Sequence, residues 1–245
     1  AETLNGHGPS VAAENFPAGI ETPYKYSARH VLDTYLEYDM PLGFFLPNDG
    51  YGAGYGQNGY YETGGVNEDG SSNAERLAAV EANVQNLAEF TEYANSKGVA
   101  TGLWTQSYLV PDSNPDTYWH LLRDFAAEVK TGGVTTLKTD VAWVGSGYSM
   151  QLDGVKTAYE TVTTSVGMRP NIISLDGWAG SQRYNSVWTG DQSGGQWEYI
   201  RFHIPTYIGQ SLSGNPNIGS DMDGIHGGAP LIAARDYQWK SMTPQ

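Results

Sequence analysis

The feature that most restricts the fold of this chain is a repeated alternation of short apolar runs with amphipathic helical segments. Between residues 24 and 245, about six strand-then-helix units follow one another. This order predicts a parallel sheet covered by helices, because each helix carries the chain back to the start of the next parallel strand. Residues 1–23 show no period and contain Gly and Pro, so we interpret them as an irregular N-terminal arm.

The apolar runs predict six buried strands, and the helical periods predict the segments between them. The predicted strands are 41–46, 99–105, 134–140, 171–175, 187–189 and 217–219. The predicted helices are 24–38, 72–98, 114–132, a segment around 152–162, a segment from 197 onward, and 231–239. Pro205 is expected to break or kink the helix that begins at residue 197, because proline lacks a backbone N–H.

Acidic residues and one tryptophan stand at or shortly after the ends of the predicted strands. They are Asp49, Trp104, Asp140, Asp176, Asp191 and Asp221. An open doubly wound sheet and a closed barrel both fit the alternation, but only in a barrel do the strand ends converge on one mouth. The Gly-rich run 50–56 leads into a loop, so no dinucleotide-binding motif follows the first strand. We therefore predict a TIM-type (β/α)8 barrel, with residues 24–245 as its core.

Composition excludes several classes of partner. The 245 residues carry a net charge of −14, which repels phosphate backbones, so no nucleic acid is expected to bind. There is no cysteine, which removes disulfides, thiol nucleophiles and cysteine-based zinc sites. No apolar run approaches the length of a membrane span. The composition is typical of a secreted or cell-surface bacterial protein, and leaves a cytoplasmic one open.

Two stretches resemble family 31 of the glycoside hydrolases. Ala179-Gly-Ser-Gln-Arg-Tyr184, followed by Trp188-Thr-Gly-Asp191, is similar to the family's Ala-Gly-(Ser)-x-Arg-(Tyr/Trp) and Trp-x-Gly-Asp-Asn segments. Residues 212–225 resemble its Leu-Ser-Gly-x-Pro…Gly-x-Asp-Ile-Gly-Gly-Phe strand. The two matches have the family's order and spacing, which makes the resemblance specific. It extends over nearly all of 24–242 and is dense in 170–225.

The resemblance implies a retaining α-glycosidase that acts on an oligosaccharide or glycan. By position, Asp140 would be the catalytic nucleophile and Asp191 the acid/base. The side chains implied to bind or surround the sugar are Asp49, Trp104, Lys138, Asp176, Trp178, Arg183, Trp188 and Asp221. No cofactor and no metal are implied, because the reaction uses carboxyl groups and water.

The chemistry explains why these residue types are needed. Cleavage with retention takes two carboxyl groups about 5–5.5 Å apart, of which one is ionised and attacks while the other is protonated. Different environments must keep the two in different protonation states. Lys138 stands two residues before Asp140, so both side chains leave the strand on one face, where the cation would keep Asp140 ionised.

Simpler interpretations exist for each of these residues. Asp140 also fits a helix N-cap after a strand, and Asp191 fits a turn within residues 190–194. Lys138 could pair with any neighbouring acid, and the tryptophans could serve packing alone. Asp221-x-Asp223-Gly224 resembles part of a calcium loop, but the remaining ligand positions are absent.

The sequence departs from the family pattern at three points. Leu175 and Asp176 stand where many members have Arg and Ser, so contacts to the sugar are expected to differ. Lys138-Thr-Asp140 replaces the usual Trp-x-Asp-Met-Asn and resembles the strand of related α-galactosidases. No strand is recognisable before the first helix or after the last, so we expect an excerpt whose partners include the remaining domains of a longer chain.

These departures leave several functions open. Residues 190–194 and 197–205 are most similar to isomaltosyl-transferring and cycloalternan-processing members, which act on α-linked glucosyl saccharides. Lys138 and Leu175 keep an α-N-acetylgalactosaminidase or α-galactosidase as alternatives. A non-catalytic carbohydrate-binding protein would use the aromatic residues but would not need both Asp140 and Asp191. The sequence does not separate hydrolysis from glycosyl transfer.

Overall fold

The computed structural model describes residues 27–47, 73–105, 125–139, 148–225 and 227–244, and strands alternate with helices through all of these ranges. The helices are α1 (Ala28–Glu37), α2 (Asn73–Ser96), α3 (Phe125–Gly132), α4 (Tyr148–Val166), α5 (Trp197–Leu212) and α6 (Pro230–Lys240). The strands are β1 (Phe44–Phe45), β2 (Ala100–Thr105), β3 (Thr136–Thr139), β4 (Asn171–Ser174), β5 (Ser186–Trp188) and β6 (Ile218–Gly219). The predicted alternation is confirmed, and a short 3-10 helix, Ser181–Arg183, connects β4 to β5.

The chain divides into two compact units. The first contains residues 1–142 and 160–170, and the second contains residues 143–159 and 171–245. In the first unit β2 pairs in parallel with both β1 and β3. Its core includes the fully buried side chains of Leu87, Phe90, Leu103, Phe125 and Leu137.

Local sequence explains the elements of the first unit. The Ser27 hydroxyl accepts a hydrogen bond of 3.0 Å from the His30 backbone N–H, which caps the start of α1. In α2, Leu87, Phe90 and Ala94 lie on one face and are fully buried. A Cβ added at Gly102 in β2 would stand 2.9 Å from Thr136, so the small residue allows β2 to approach β3.

The second unit contains the dense part of the motif match. Its strand β5 pairs in parallel with β4, at Ser174↔Val187, and with β6, at Trp188↔Gly219. Parallel pairing places the carboxyl ends of all three strands at the same edge. Val187, Tyr207 and Ile218 form a buried cluster against which Trp239 packs.

Of the break or kink predicted at Pro205, the break is absent, because helix α5 continues through this residue. Tyr199, His203 and Tyr207 recur every four residues along the helix and are all buried. Pro205 lies on the exposed side, where the lost N–H bond is offset by the packing of this buried face.

Several predicted strands are longer than the observed ones. Of the run 41–46, Phe44 and Phe45 form β1, and the Gly43 carbonyl also accepts a hydrogen bond from the Ala100 N–H. Of the run 134–140, Thr136–Thr139 form β3, and Asp140 lies outside the described residues. A strand ends where its partner's backbone hydrogen bonds end, whereas an apolar run can extend further. None of the helices within the described ranges combines the length and apolar character that a membrane span requires.

Candidate active site

Three predicted sugar-binding residues lie at the strand ends of the second unit. Asp176 stands two residues after β4, Trp188 ends β5, and Asp221 stands two residues after β6. The Trp188 indole Nε1–H donates a 3.2 Å hydrogen bond to Asp221 Oδ1, which joins two of them directly. The parallel register therefore brings together Trp188 and Asp221, which are 33 residues apart in the sequence, and places Asp176 after the neighbouring strand.

Asp176 organises the connection from β4 to β5. Its side chain is 7% exposed, and the Ser174 hydroxyl donates to its Oδ2 at 3.0 Å. Its backbone carbonyl accepts hydrogen bonds from Ser181 Oγ at 3.2 Å and from Asn185 Nδ2 at 2.8 Å. Burial raises the pKa of Asp176 to about 6, and the Ser174 hydroxyl opposes that shift. This carboxyl group can therefore exchange a proton close to neutral pH.

Asp191 lies on an exposed turn that follows β5. We call residues 189–195 the Asp191 loop. Gly190 has a φ of +86°, a conformation that favours glycine, and it turns the chain immediately before Asp191. The Thr189 N–H extends the strand by donating to the Gly219 carbonyl at 3.1 Å. The exposed side chain of Asp191 is therefore held on an anchored turn.

A buried ion pair between Lys240 and Asp236 supports the main chain at Asp221. Lys240 Nζ lies 2.5 Å from Asp236 Oδ2, and both side chains are almost fully buried. The same ammonium group donates to the Asp221 carbonyl at 2.5 Å, and the Tyr199 hydroxyl also donates to that carbonyl. Asp236 in turn accepts from the backbone N–H of Asp223 at 2.6 Å. These bonds hold the main chain of residues 221–223 in place.

The Asp191 loop and the segment after β6 are in close backbone contact at a glycine, Gly194. A Cβ at Gly194 would lie 1.6 Å from the Asp223 carbonyl oxygen, so no larger residue fits there. The Gly195 N–H donates to Asp223 Oδ1 at 2.7 Å, and the Ile225 N–H donates to the Gln192 carbonyl at 3.0 Å. Asp223 adopts a φ of +52° and is 1% exposed. Its buried carboxyl group therefore holds the Asp191 loop against the segment after β6.

Four supporting residues were not predicted from the sequence: Tyr199, His203, Asp236 and Lys240. The first two lie four residues apart on α5, and Asp236 and Lys240 lie four apart on α6. This spacing is the one signal that places each pair on a common helix face. It does not reveal what that face contacts.

The remaining predicted residues fall into three groups. Trp104, in β2, is 1% exposed, and Lys138, in β3, is half-buried; both belong to the first unit. Trp178 is 41% exposed, and the exposed Arg183 places its guanidinium 5.6 Å from the Tyr184 ring centre. Asp49 and Asp140 lie outside the described residues. The catalytic roles of Asp140 and Asp191, and the separation of their carboxyl groups, therefore stay predictions.

No metal centre is formed by the part of the chain that the structure describes. Within it, no group of three His, Asp or Glu side chains converges in the arrangement that an ion would need. Asp221 and Asp223, which resembled part of a calcium loop, are instead used in hydrogen bonds to Trp188 and Gly195.

Part of the chain is similar in sequence to known alpha-glucosidases. The chain is 30% identical to neutral alpha-glucosidase C of Mus musculus over 122 residues, which is 46% of this chain and 14% of that protein. It is 33% identical to an alpha-glucosidase of Saccharolobus solfataricus over 103 residues, 38% of this chain and 15% of that protein. The matched segment thus spans about one seventh of each relative.

Solved structures show the fold. The cycloalternan-degrading enzyme from Trueperella pyogenes in complex with isomaltose aligns with a TM-score of 0.62 at 16% identity, over 89% of this chain and 39% of that one. The same enzyme in complex with cycloalternan aligns with a TM-score of 0.63 at 15% identity, over 89% and 38%. At such low identity the likeness confirms the predicted barrel architecture.

A family model matches the region in which the site lies. It is described as the glycosyl hydrolases family 31 TIM-barrel domain, and it matches residues 142–244. This range contains β4, β5 and β6 together with Asp176, Trp188, Asp191 and Asp221. The resemblance stated from the motifs is therefore confirmed: residues 142–244 match the TIM-barrel domain of the family 31 glycosyl hydrolases.

Proposed function

We propose that this protein is a retaining α-glycosidase in which Asp140 is the nucleophile and Asp191 is the acid/base. One observation carries the proposal. Within residues 142–244, which the family model matches, Asp176, Trp188 and Asp221 stand at or just after the carboxyl ends of parallel strands, and the exposed Asp191 follows β5. Acids at the carboxyl ends of parallel strands occupy the position in which barrel enzymes carry their active sites.

The reaction follows from two carboxyl groups in different states. Asp191 gives its proton to the glycosidic oxygen while the Asp140 carboxylate attacks the anomeric carbon, so the glycosidic bond breaks as an ester bond forms. Asp191, now ionised, takes a proton from water or from a sugar hydroxyl. The resulting oxygen nucleophile attacks the anomeric carbon and releases Asp140 with retention of configuration.

The described side chains support this division of roles. An acid/base must meet both the leaving group and the incoming water, which suits the exposed turn on which Asp191 lies. Asp221 and Trp188 are joined by a hydrogen bond, and they supply a carboxylate and an indole ring for a sugar hydroxyl and a sugar face. Asp176 supplies a second, buried carboxyl group at the end of β4.

The proposed substrates are α-linked glucosyl saccharides of the isomaltosyl or cycloalternan type. Support comes from the likeness to an enzyme whose solved complexes contain isomaltose and cycloalternan. One contact favours testing other sugars as well. Leu175 stands where many family members have Arg, and its Cδ2 lies 3.1 Å from the position that a Cβ would take on Gly190. An apolar group there changes what can bind beside the Asp191 loop.

The experiment measures turnover by the protein at its full natural length. The substrates are p-nitrophenyl α-glucoside, α-galactoside and α-N-acetylgalactosaminide, together with isomaltose and cycloalternan. Asp191→Ala is expected to lower kcat/KM about 10²–10⁴-fold on natural saccharides, because the general acid is lost. Asp140→Ala is expected to lose at least as much, and azide should rescue it with an inverted glycosyl azide as product.

The matched control is Asp153→Ala, which removes an exposed carboxylate from α4 in the same unit. It should retain wild-type turnover. Preference for the galactoside or the N-acetylgalactosaminide would replace the glucosyl assignment. Saccharide binding without turnover of any α-glycoside, and without a covalent adduct from a mechanism-based fluoroglycoside, would instead identify a carbohydrate-binding protein.

A further inference from the structure

A buried histidine contacts both ends of the turn that carries Asp191. His203 lies on α5 and is fully buried. Its Nε2 stands 3.1 Å from Thr189 Oγ1 and also hydrogen-bonds Gln192 Oε1. Thr189 precedes Gly190 and Asp191, and Gln192 follows them, so one imidazole nitrogen joins the two sides of the turn.

The hydrogen-bond partners determine which imidazole nitrogen carries the proton. Gln192 Nε2 donates to the Thr189 backbone carbonyl at 2.6 Å, and a carbonyl can only accept, so the orientation of the Gln192 amide is defined. Its Oε1 therefore faces His203, and this oxygen also can only accept. His203 Nε2 must then be protonated, whereas its buried Nδ1 finds no hydrogen-bond partner among the described residues.

The surroundings of His203 keep the imidazole neutral. The Tyr199 ring meets it edge-to-face at 4.2 Å between ring centres, and the Tyr207 ring lies at 5.7 Å. The pKa of His203 is lowered to about 4, mainly by burial and also by Lys240, while Asp236 acts in the opposite direction. The imidazole is therefore a neutral hydrogen-bond donor at neutral pH.

The first half of the Asp191 loop depends on this contact more than the second half does. Gly194 and Gly195 are held by direct contact with Asp223. At the other end of the loop, the side chains of Thr189 and Gln192 both contact His203. They also contact each other, with 3.4 Å between Thr189 Oγ1 and Gln192 Oε1. Removing the imidazole N–H would leave Gln192 Oε1 with only the longer hydrogen bond that the Thr189 hydroxyl donates, and would loosen the turn on the side of Asp191.

We propose that His203 is a positioning residue of the candidate active site: its Nε2–H clamps Thr189 to Gln192 and so orients the carboxyl group of Asp191. The inference rests on the proposed function, in which Asp191 is the acid/base. A displacement of about 1 Å at such a group can cost about 10²-fold in rate. The role is distinct from packing, because it requires a hydrogen-bond donor at one point of the ring.

The test compares three replacements of His203 in the full-length protein. His203→Gln can place an amide N–H near the position of Nε2, His203→Asn reaches only the region of Nδ1, and His203→Phe fills the space without a donor. A matched control, Thr206→Val, removes a hydroxyl on the same helix that, among the described residues, donates to the Phe202 carbonyl of that helix. Turnover of isomaltose is measured, because its sugar leaving group needs the proton that Asp191 would supply. The rate is expressed per active site, counted by titration with a fluoroglycoside, so that unfolded protein does not lower the measured kcat.

The expected result is a split between kcat and KM. His203→Phe and His203→Asn should lower kcat about 10-fold or more with KM within about 2-fold of wild type, because ground-state binding is not affected. His203→Gln and Thr206→Val should retain most of kcat. An unchanged kcat in His203→Phe, or equal losses in His203→Gln and His203→Phe, would overturn the proposal.

A second measurement separates failure of this proposal from failure of the proposed function. Amide hydrogen exchange of residues 189–195 needs no substrate. If the wild-type protein cleaves no α-glycoside, the proposed function fails while the exchange data still decide the clamp. Faster exchange in His203→Phe with wild-type exchange in His203→Gln supports it, and unchanged exchange in His203→Phe refutes it.

Discussion

Asp176 is a buried carboxyl group whose ionisation opposes folding. Its pKa is about 6 in the folded protein, against 3.8 as the ordinary value. Between these values the folded state binds more protons than the unfolded state, so the free energy of unfolding falls as the pH rises from about 4 to about 6. The shift corresponds to about 3 kcal/mol, which is lost in full above the folded pKa.

Asp176→Asn removes this titration and keeps an acceptor for the Ser174 hydroxyl. We expect the free energy of unfolding of the variant minus that of the wild type to increase by about 3 kcal/mol between pH 4 and pH 7. Urea unfolding at several pH values measures the difference. A pH-independent difference between the two proteins would show that the folded pKa is not raised.

His203 has the opposite effect, which is why the difference between two proteins must be measured. Its folded pKa is about 4 and its ordinary value is 6.5, so the unfolded state binds the proton first as the pH falls. The stability that comes from the neutral imidazole is present above about pH 6.5 and is lost as the pH falls to about 4. This contribution is common to the wild type and Asp176→Asn, so it cancels in their comparison.

At the scale of elements, the contact between the Asp191 loop and the segment after β6 depends on close backbone approach. Gly194 would direct a Cβ into the Asp223 carbonyl, and Gly224, with a φ of +71°, would direct one to within 2.3 Å of the Gln192 carbonyl. Both obstructing atoms belong to the backbone and cannot rotate away. A substitution must therefore separate the two segments or displace one of them.

Gly194→Ala is expected to lower the free energy of unfolding by about 3 kcal/mol, at the upper end of the range for overpacking. Gly209→Ala is the matched control, because Gly209 lies in α5 with open space around the added Cβ. There alanine should stabilise the protein by about 1 kcal/mol through its higher helix propensity. Denaturant unfolding of the two variants checks the opposite signs. Similar shifts in both would mean that the loop tolerates a side chain.

At the scale of the whole molecule, the net charge of −14 is spread over 245 residues and acts against the compact state. Raising NaCl from about 10 mM to about 150 mM shortens the Debye length from about 30 Å to about 8 Å. Because this screens the repulsion among like charges, the free energy of unfolding should increase by about 1 kcal/mol.

Thermal unfolding at both salt concentrations measures this effect, with sucrose at equal osmolality as the uncharged control. A rise in Tm that NaCl produces and sucrose does not would identify screening as the cause. A fall in stability with NaCl would show instead that attractive pairs such as Arg29 with Glu89, 3.5 Å apart, outweigh the net repulsion.

The sequence by itself determined the order of strands and helices, and which acidic and tryptophan side chains stand near the strand ends. Period and apolar runs are local properties, so the buried face of α2 and the alternation from β1 to α6 were predictable. The stretches 179–191 and 212–225 together indicated the resemblance to the family, because each motif consists of residues that are close in sequence.

Only the tertiary structure showed which residues, distant in sequence, contact and support the strand ends. His203 meets Gln192 across 11 positions, Asp223 meets Gly195 across 28, and Lys240 meets Tyr199 across 41. No local period encodes such contacts, because they arise when separate helices and loops pack on the same strand ends. Pro205 shows the same limit from the other side: its local preference predicts a break, and the buried face of α5 overrides it.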